Sequence, residues 1–120
     1  MSEIRNYRDL LIWRKGVQLV KWIYQLTREF PTEERFGLVN QMQRSATSIP
    51  ANIAEGQARQ HTKEFRQLLF IALGSIAELD TQIVIARELD YIAEENATEL
   101  NGEIIELQKM IHTLIKRLPR

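Results

Sequence analysis

Glu103 and Glu106 stand three residues apart, with Glu99 one turn earlier, a spacing by which helical bundles hold magnesium and cleave nucleotides. Magnesium wants several carboxylates converging with water and a substrate phosphate, and no second acidic pair lies on a facing seam. A solvated helix face is therefore the stronger reading of this trio. A metal-dependent nucleotide hydrolase is retained as a remote alternative, one that Glu103→Gln would inactivate. Di-iron bundles need Glu-x-x-His on two helices. The two histidines, His61 and His112, fit no such motif. Glycines 16, 37, 56, 74 and 102 are isolated, so no phosphate-cradling loop is present. The chain has no cysteine, which excludes disulfides, zinc ribbons and thiol catalysis. No catalytic residue, cofactor or metal site is expected.

The residues that remain to be explained lie between positions 41 and 59. Gln41, Ser45, Ser48, Asn52, Glu55 and Arg59 repeat at heptad spacing, which stacks them along one helix face. One face over run Val39, Met42, Ala46, Ile49 and Ile53, with Pro50 between the two seams. A comparable small and polar seam, Ile71, Ser75, Glu78 and Gln82, lies further along. If the seams face each other, Gln41, Arg44, Ser45, Ser48, Asn52, Glu55, Ser75 and Glu78 form a structural polar network. Pairing would then be nearly obligatory, because an unpartnered buried charge costs several kcal/mol. The other reading is an exposed seam lining an oligomer channel or a partner groove.

Four helices must carry these seams, over about residues 9–29, 34–59, 62–91 and 97–118. Phe30-Pro31 stops the first, since the residue before proline resists helical geometry. Thr32 and Thr62 look like N-caps of the second and third, and Asn96 or Thr98 of the fourth. Pro50 predicts a kink, and Gly74 a close helix approach. Long helices with short connections specify an all-α, antiparallel up-down-up-down four-helix bundle, one domain over residues 1–120. The first helix carries two apolar seams: Leu10, Trp13, Val17, Val20, Tyr24, and Ile12, Gly16, Leu19, Ile23, Leu26, Phe30. One seam suffices for a core. The excess predicts self-association, with Trp13, Leu19, Trp22, Ile23 and Leu26 as interface candidates.

Sixteen basic residues cancel sixteen acidic ones, so no global field drives the chain onto nucleic acid or membrane. Residues 1–66 nonetheless carry a net +4 and residues 67–120 a net −4. Arginine outnumbers lysine eleven to five, which suits planar contacts with carboxylate or phosphate. No apolar run is expected to reach the roughly 20 residues of a membrane helix, and the expected compartment is the cytoplasm.

The string Arg44-Ser45-Ala46-Thr47-Ser48-Ile49-Pro50-Ala51-Asn52-Ile53-Ala54-Glu55-Gly56 is distinctive. So are Glu34-Arg35-Phe36-Gly37-Leu38 before it and Ala72-Leu73-Gly74-Ser75-Ile76-Ala77-Glu78-Leu79 after it. With Tyr7-Arg8-Asp9-Leu10 and Trp13, they resemble the bacterial four-helix bundle proteins encoded in 23S rRNA intervening sequences, some labelled S23 ribosomal protein. The family is similar to the accessory variability protein of diversity-generating retroelements. That likeness implies a homopentameric, barrel-shaped assembly that binds nucleic acid and a protein partner. It carries over no catalytic residue.

The combined expectation is a non-catalytic, ring-forming bundle that binds nucleic acid, RNA before DNA. Its phosphate-contact candidates are Arg44, Arg59, Lys63 and Arg66, with Arg5, Arg8, Arg14 and Lys15 near the N-terminus. The competing expectation is a protein-interaction scaffold with no nucleic-acid role.

Overall fold

A computed structural model describes residues 6–120, so Arg5 lies outside the described residues. A 3-10 turn at Tyr7–Asp9 leads into α1 (Leu11–Thr27), and a second at Thr32–Glu34 into α2 (Leu38–Ala58). Helices α3 (Thr62–Glu88) and α4 (Glu94–Arg117) complete the chain. The described residues form an all-α four-helix bundle 44 × 25 × 23 Å in extent. Helix α2 packs on α1 and α3, and α4 on α3 and, more loosely, on α1. Helices α1 and α3 hold diagonally opposite corners.

The core follows the heptad seams. Met42, Ala46, Ile49 and Ile53 of α2 are fully buried against Leu69, Ala72, Ile76 and Leu79 of α3, and Leu100, Ile104 and Ile111 close it from α4. Of the two α1 seams, the one holding Ile12, Gly16, Leu19 and Ile23 enters the core. Val17 and Tyr24 of the other remain exposed, and Trp13 and Val20 lean on the core's edge.

Several termini differ from the expected ones. Thr32 opens a 3-10 turn, and α2 begins six residues later behind Gly37. The carboxylate of Glu34 takes up the first free amide of α2, accepting from Leu38 N at 3.5 Å. Thr62 is the first residue of α3, with His61 in the cap position. Helix α4 starts at Glu94, ahead of Asn96 and Thr98. Asp90, at φ 62°, turns the chain between α3 and α4. Helix α2 continues through Pro50, which is buried against α1 where a Cβ on Gly16 would stand 3.3 Å from Pro50 Cβ. Gly56 likewise admits α3: a Cβ there would meet Phe65 Cδ1 at 2.8 Å. Gly74, by contrast, faces open space rather than a helix contact.

Helix α3 also corrects the hydropathy expectation. It is long and apolar enough to cross a membrane by composition, with a mean hydropathy of 1.7 over 18 residues, and only 33% of that window is buried.

Candidate nucleic-acid interface

The polar seam of α2 is buried at its middle and open at its ends. Ser45 is buried and Ser48 and Asn52 are half-buried, whereas Gln41, Glu55 and Arg59 are exposed. The Ser48 and Ser75 hydroxyls lie 2.8 Å apart, and Asn52 Nδ2 donates to Ser48 Oγ and Ser48 O, both at 2.8 Å. This is the small network that joins α2 to α3. The larger one expected from the sequence does not form. Glu55 pairs with Arg59 at the surface, and Arg44 and Glu78 are exposed and stand outside it. Hydration makes a buried partner unnecessary for both carboxylates. On the same side of α3, Gln82 Oε1 is buried with no hydrogen-bond partner.

Packing accounts for about half of the distinctive string. Ser45, Ala46, Ile49, Pro50, Ile53 and Gly56 are all buried between α1 and α3. Trp13, Trp22 and Leu26 lie at the margin of the core. Leu19 at 4% exposure and Ile23 at 0% are interior to the subunit, which removes them from the expected self-association surface.

Charge is arranged along the bundle axis. Antiparallel helices bring the start of α1, the end of α2, the start of α3 and the end of α4 to one end. There Arg66 donates to the carbonyls of Leu118 and Pro119, at 3.1 and 2.8 Å. Arg59 approaches Glu64 at 3.8 Å across the α2–α3 turn. Dividing each helix at its midpoint gathers Arg8, Arg14, Lys15, Arg59, Lys63, Arg66, Lys109, Lys116, Arg117 and Arg120 in this half. Among the described residues, only Asp9, Glu55, Glu64 and Glu106 oppose them, a net +6. The other half holds eleven acids, Glu33, Glu34, Glu94 and Glu95 among them, against Lys21, Arg28, Arg35, Arg44 and Arg87, a net −6.

Six of the seven described phosphate-contact candidates therefore share one end; Arg44 sits in the acidic half. The sequence-level gradient from +4 to −4 understated this, because it cut the chain once instead of cutting each helix. Lys109, Lys116, Arg117 and Arg120 were missed on that account. For Lys116 and Arg117 the signal was legible as the cationic last turn of α4, which also suits the helix dipole.

The candidates differ in freedom. Lys15 is bound to Glu106 at 2.7 Å, and this bond, with the nearby charges of Glu106 and Glu103, holds its ammonium above its ordinary pKa despite partial desolvation. Arg8 lies 5.8 Å above the Trp13 ring, and its carbonyl accepts from Arg14 Nε at 2.9 Å. Lys63, Lys109, Lys116 and Arg117 are exposed at the rim. Glu103 and Glu106 lie exposed along α4 opposite lysines of α1, and the described residues hold no group of three His, Asp or Glu placed for a metal ion.

Residues 8–113 match the family model described as 23S rRNA-intervening sequence protein. The chain belongs to that family. A crystal structure from Bacteroides thetaiotaomicron, described as a protein of unknown function from the S23 ribosomal protein family, superposes with a TM-score of 0.81 at 28% identity. The match covers 88% of this chain and 99% of that one. No curated protein matches the chain. This intervening-sequence protein and the Bacteroides protein thus share the helical frame.

Proposed function

We propose that this protein is a non-catalytic, self-associating bundle that binds nucleic acid, RNA foremost, through its basic end, in the cytoplasm. One observation carries the reading: among the described residues, ten cations stand against four acids at one end of the bundle. Zero net charge does not cancel that end. The Debye length at physiological ionic strength is about 8 Å, and the bundle is 44 Å long, so a phosphate at one tip scarcely senses the other. Arginine and lysine at such a tip can each replace a counterion on a phosphate backbone. The family description names an rRNA element, which makes ribosomal RNA the first ligand to try. Assembly as a ring, pentameric by the likeness to the accessory variability protein, would bring several basic ends to one polyanion.

Filter binding of 23S rRNA fragments tests the reading. Lys63→Glu with Lys116→Glu should weaken binding about tenfold or more, while Arg35→Glu with Arg44→Glu, an equal change in net charge within the acidic half, should leave it nearly unchanged. Equal effects of the two pairs would refute a localised site.

A protein-interaction scaffold is the second reading, favoured by Phe36. This residue is 87% exposed, with the Arg35 guanidinium 5.9 Å from its ring centroid, within the acidic half. Recovery of a specific protein from nuclease-treated extract, lost with Phe36→Ser, would support it.

A further inference from the structure

Helix α3 carries an apolar face that no described residue of its own subunit covers. Phe70, Ile71, Val84, Ile85 and Leu89 are between 40% and 52% exposed. Helical spacing sets them beside Gly74, Ala77 and Thr81 on one outward arc. The glycine weakens the helix where no neighbour within 4 Å requires it. A long apolar stripe with small residues at its centre is built for close approach by another surface.

We infer that this face docks a second copy of the chain, through the outward face of that copy's α1. The argument is complementarity. The α3 arc carries Glu78 at its middle and Glu88 at its C-terminal end, both exposed. Helix α1 contains no acidic residue, and Arg14, Lys21 and, just past its end, Arg28 repeat every seventh position on its exposed side. Among them Leu11, Val17 and Tyr24 are exposed at 54%, 38% and 41%. The two surfaces are thus complementary: apolar area on both, acid on one and base on the other.

Their placement forbids an internal solution. Helices α1 and α3 occupy opposite corners, so every copy presents one face of each kind in opposing directions. Contact between unlike faces is head-to-tail, and it closes into a ring or runs on as a filament. A two-fold pairing of α3 on α3 is disfavoured, because the arc centres near Glu78 and would set that carboxylate beside its own copy. The inference rests on the proposed self-association and is independent of nucleic-acid binding.

Sedimentation velocity of the full chain at micromolar concentration tests it, with helical circular dichroism confirming that each variant is folded. Lys21→Glu and Glu78→Lys should each weaken association about tenfold, and the double variant should restore it to within about threefold. Ile85→Lys, within the apolar group of Val84, Ile85 and Leu89, should give monomers. A monomeric wild type overturns the inference, as does association indifferent to Ile85→Lys. A double variant no better than Glu78→Lys also overturns it, giving the face to an α3–α3 pair. Monomers that cosediment with phosphatidylcholine vesicles overturn it in favour of a lipid surface. Filter binding with Lys63→Glu and Lys116→Glu is a separate readout, so either idea can fail alone.

Discussion

The hydroxyls of Ser48 and Ser75, 2.8 Å apart, tie the midpoint of α2 to the midpoint of α3. Around this point the bundle's tightest seam is built, and the bond sets the axial register between those helices. Ser75→Ala removes one partner yet leaves Ser48 Oγ accepting from Asn52, so no polar atom is orphaned. The expected cost is about 1 kcal/mol. Ser75→Leu should cost more, about 2–3 kcal/mol, by overfilling a site with 6% exposure. Urea midpoints of the two variants check the order.

Gly56 and Gly102 should respond to alanine with opposite signs. A Cβ at Gly56 would meet Phe65 Cδ1 at 2.8 Å and Leu68 Cβ at 3.1 Å, so Gly56→Ala is expected to destabilise by about 1–3 kcal/mol. Gly102 has nothing within 4 Å, and Gly102→Ala should gain about 1 kcal/mol from helix propensity alone. Thermal melts side by side would read the sign directly.

Tyr91 connects the α3–α4 turn to the start of α2. Its hydroxyl donates to Glu34 Oε2 at 2.8 Å, and its ring lies 5.3 Å from that of Phe30. The bond to the Glu34 carboxylate, helped by partial desolvation, raises the phenol's pKa above the ordinary 10.0. The folded state holds this proton longer than the unfolded state does. Its contribution is therefore complete below pH 10.0 and is lost as pH climbs through the folded value. Stability measured from pH 8 to 11 should decline at the alkaline end, and Tyr91→Phe should shrink that decline. An identical decline in the variant would assign it elsewhere, Lys15 and Glu106 being the next pair to examine.

The helices, their antiparallel order and the core seams were legible in the sequence because 3.5-residue periodicity is a local signal. Ile49, Ile53, Leu69 and Ile76 are buried as that period requires. Caps were less legible. Glu34 does the work assigned to Thr32, because which oxygen meets a free amide depends on the path of the preceding turn. The polar network was half-legible: spacing put Ser48 and Ser75 on facing seams, but it could not tell that the carboxylates at 55 and 78 lie on the water side. The outward α3 stripe was not legible as a surface at all, since periodicity reveals that a face is apolar and not what covers it. The axial charge separation was hidden for a topological reason. Residues as distant as Arg8, Arg59, Lys63 and Arg117 become neighbours only once four helices alternate in direction.

The salt dependence of RNA binding tests the central claim, that this molecule meets phosphate with one end. Binding of single-stranded 23S rRNA fragments, measured across potassium chloride concentrations, should give a straight log–log plot with about 0.7 of slope per phosphate neutralised. Lys63→Glu and Lys116→Glu should flatten that slope by about one to two, whereas Arg35→Glu and Arg44→Glu should not change it. A binding constant indifferent to salt, or a slope unchanged when the basic end is reversed, would contradict the account.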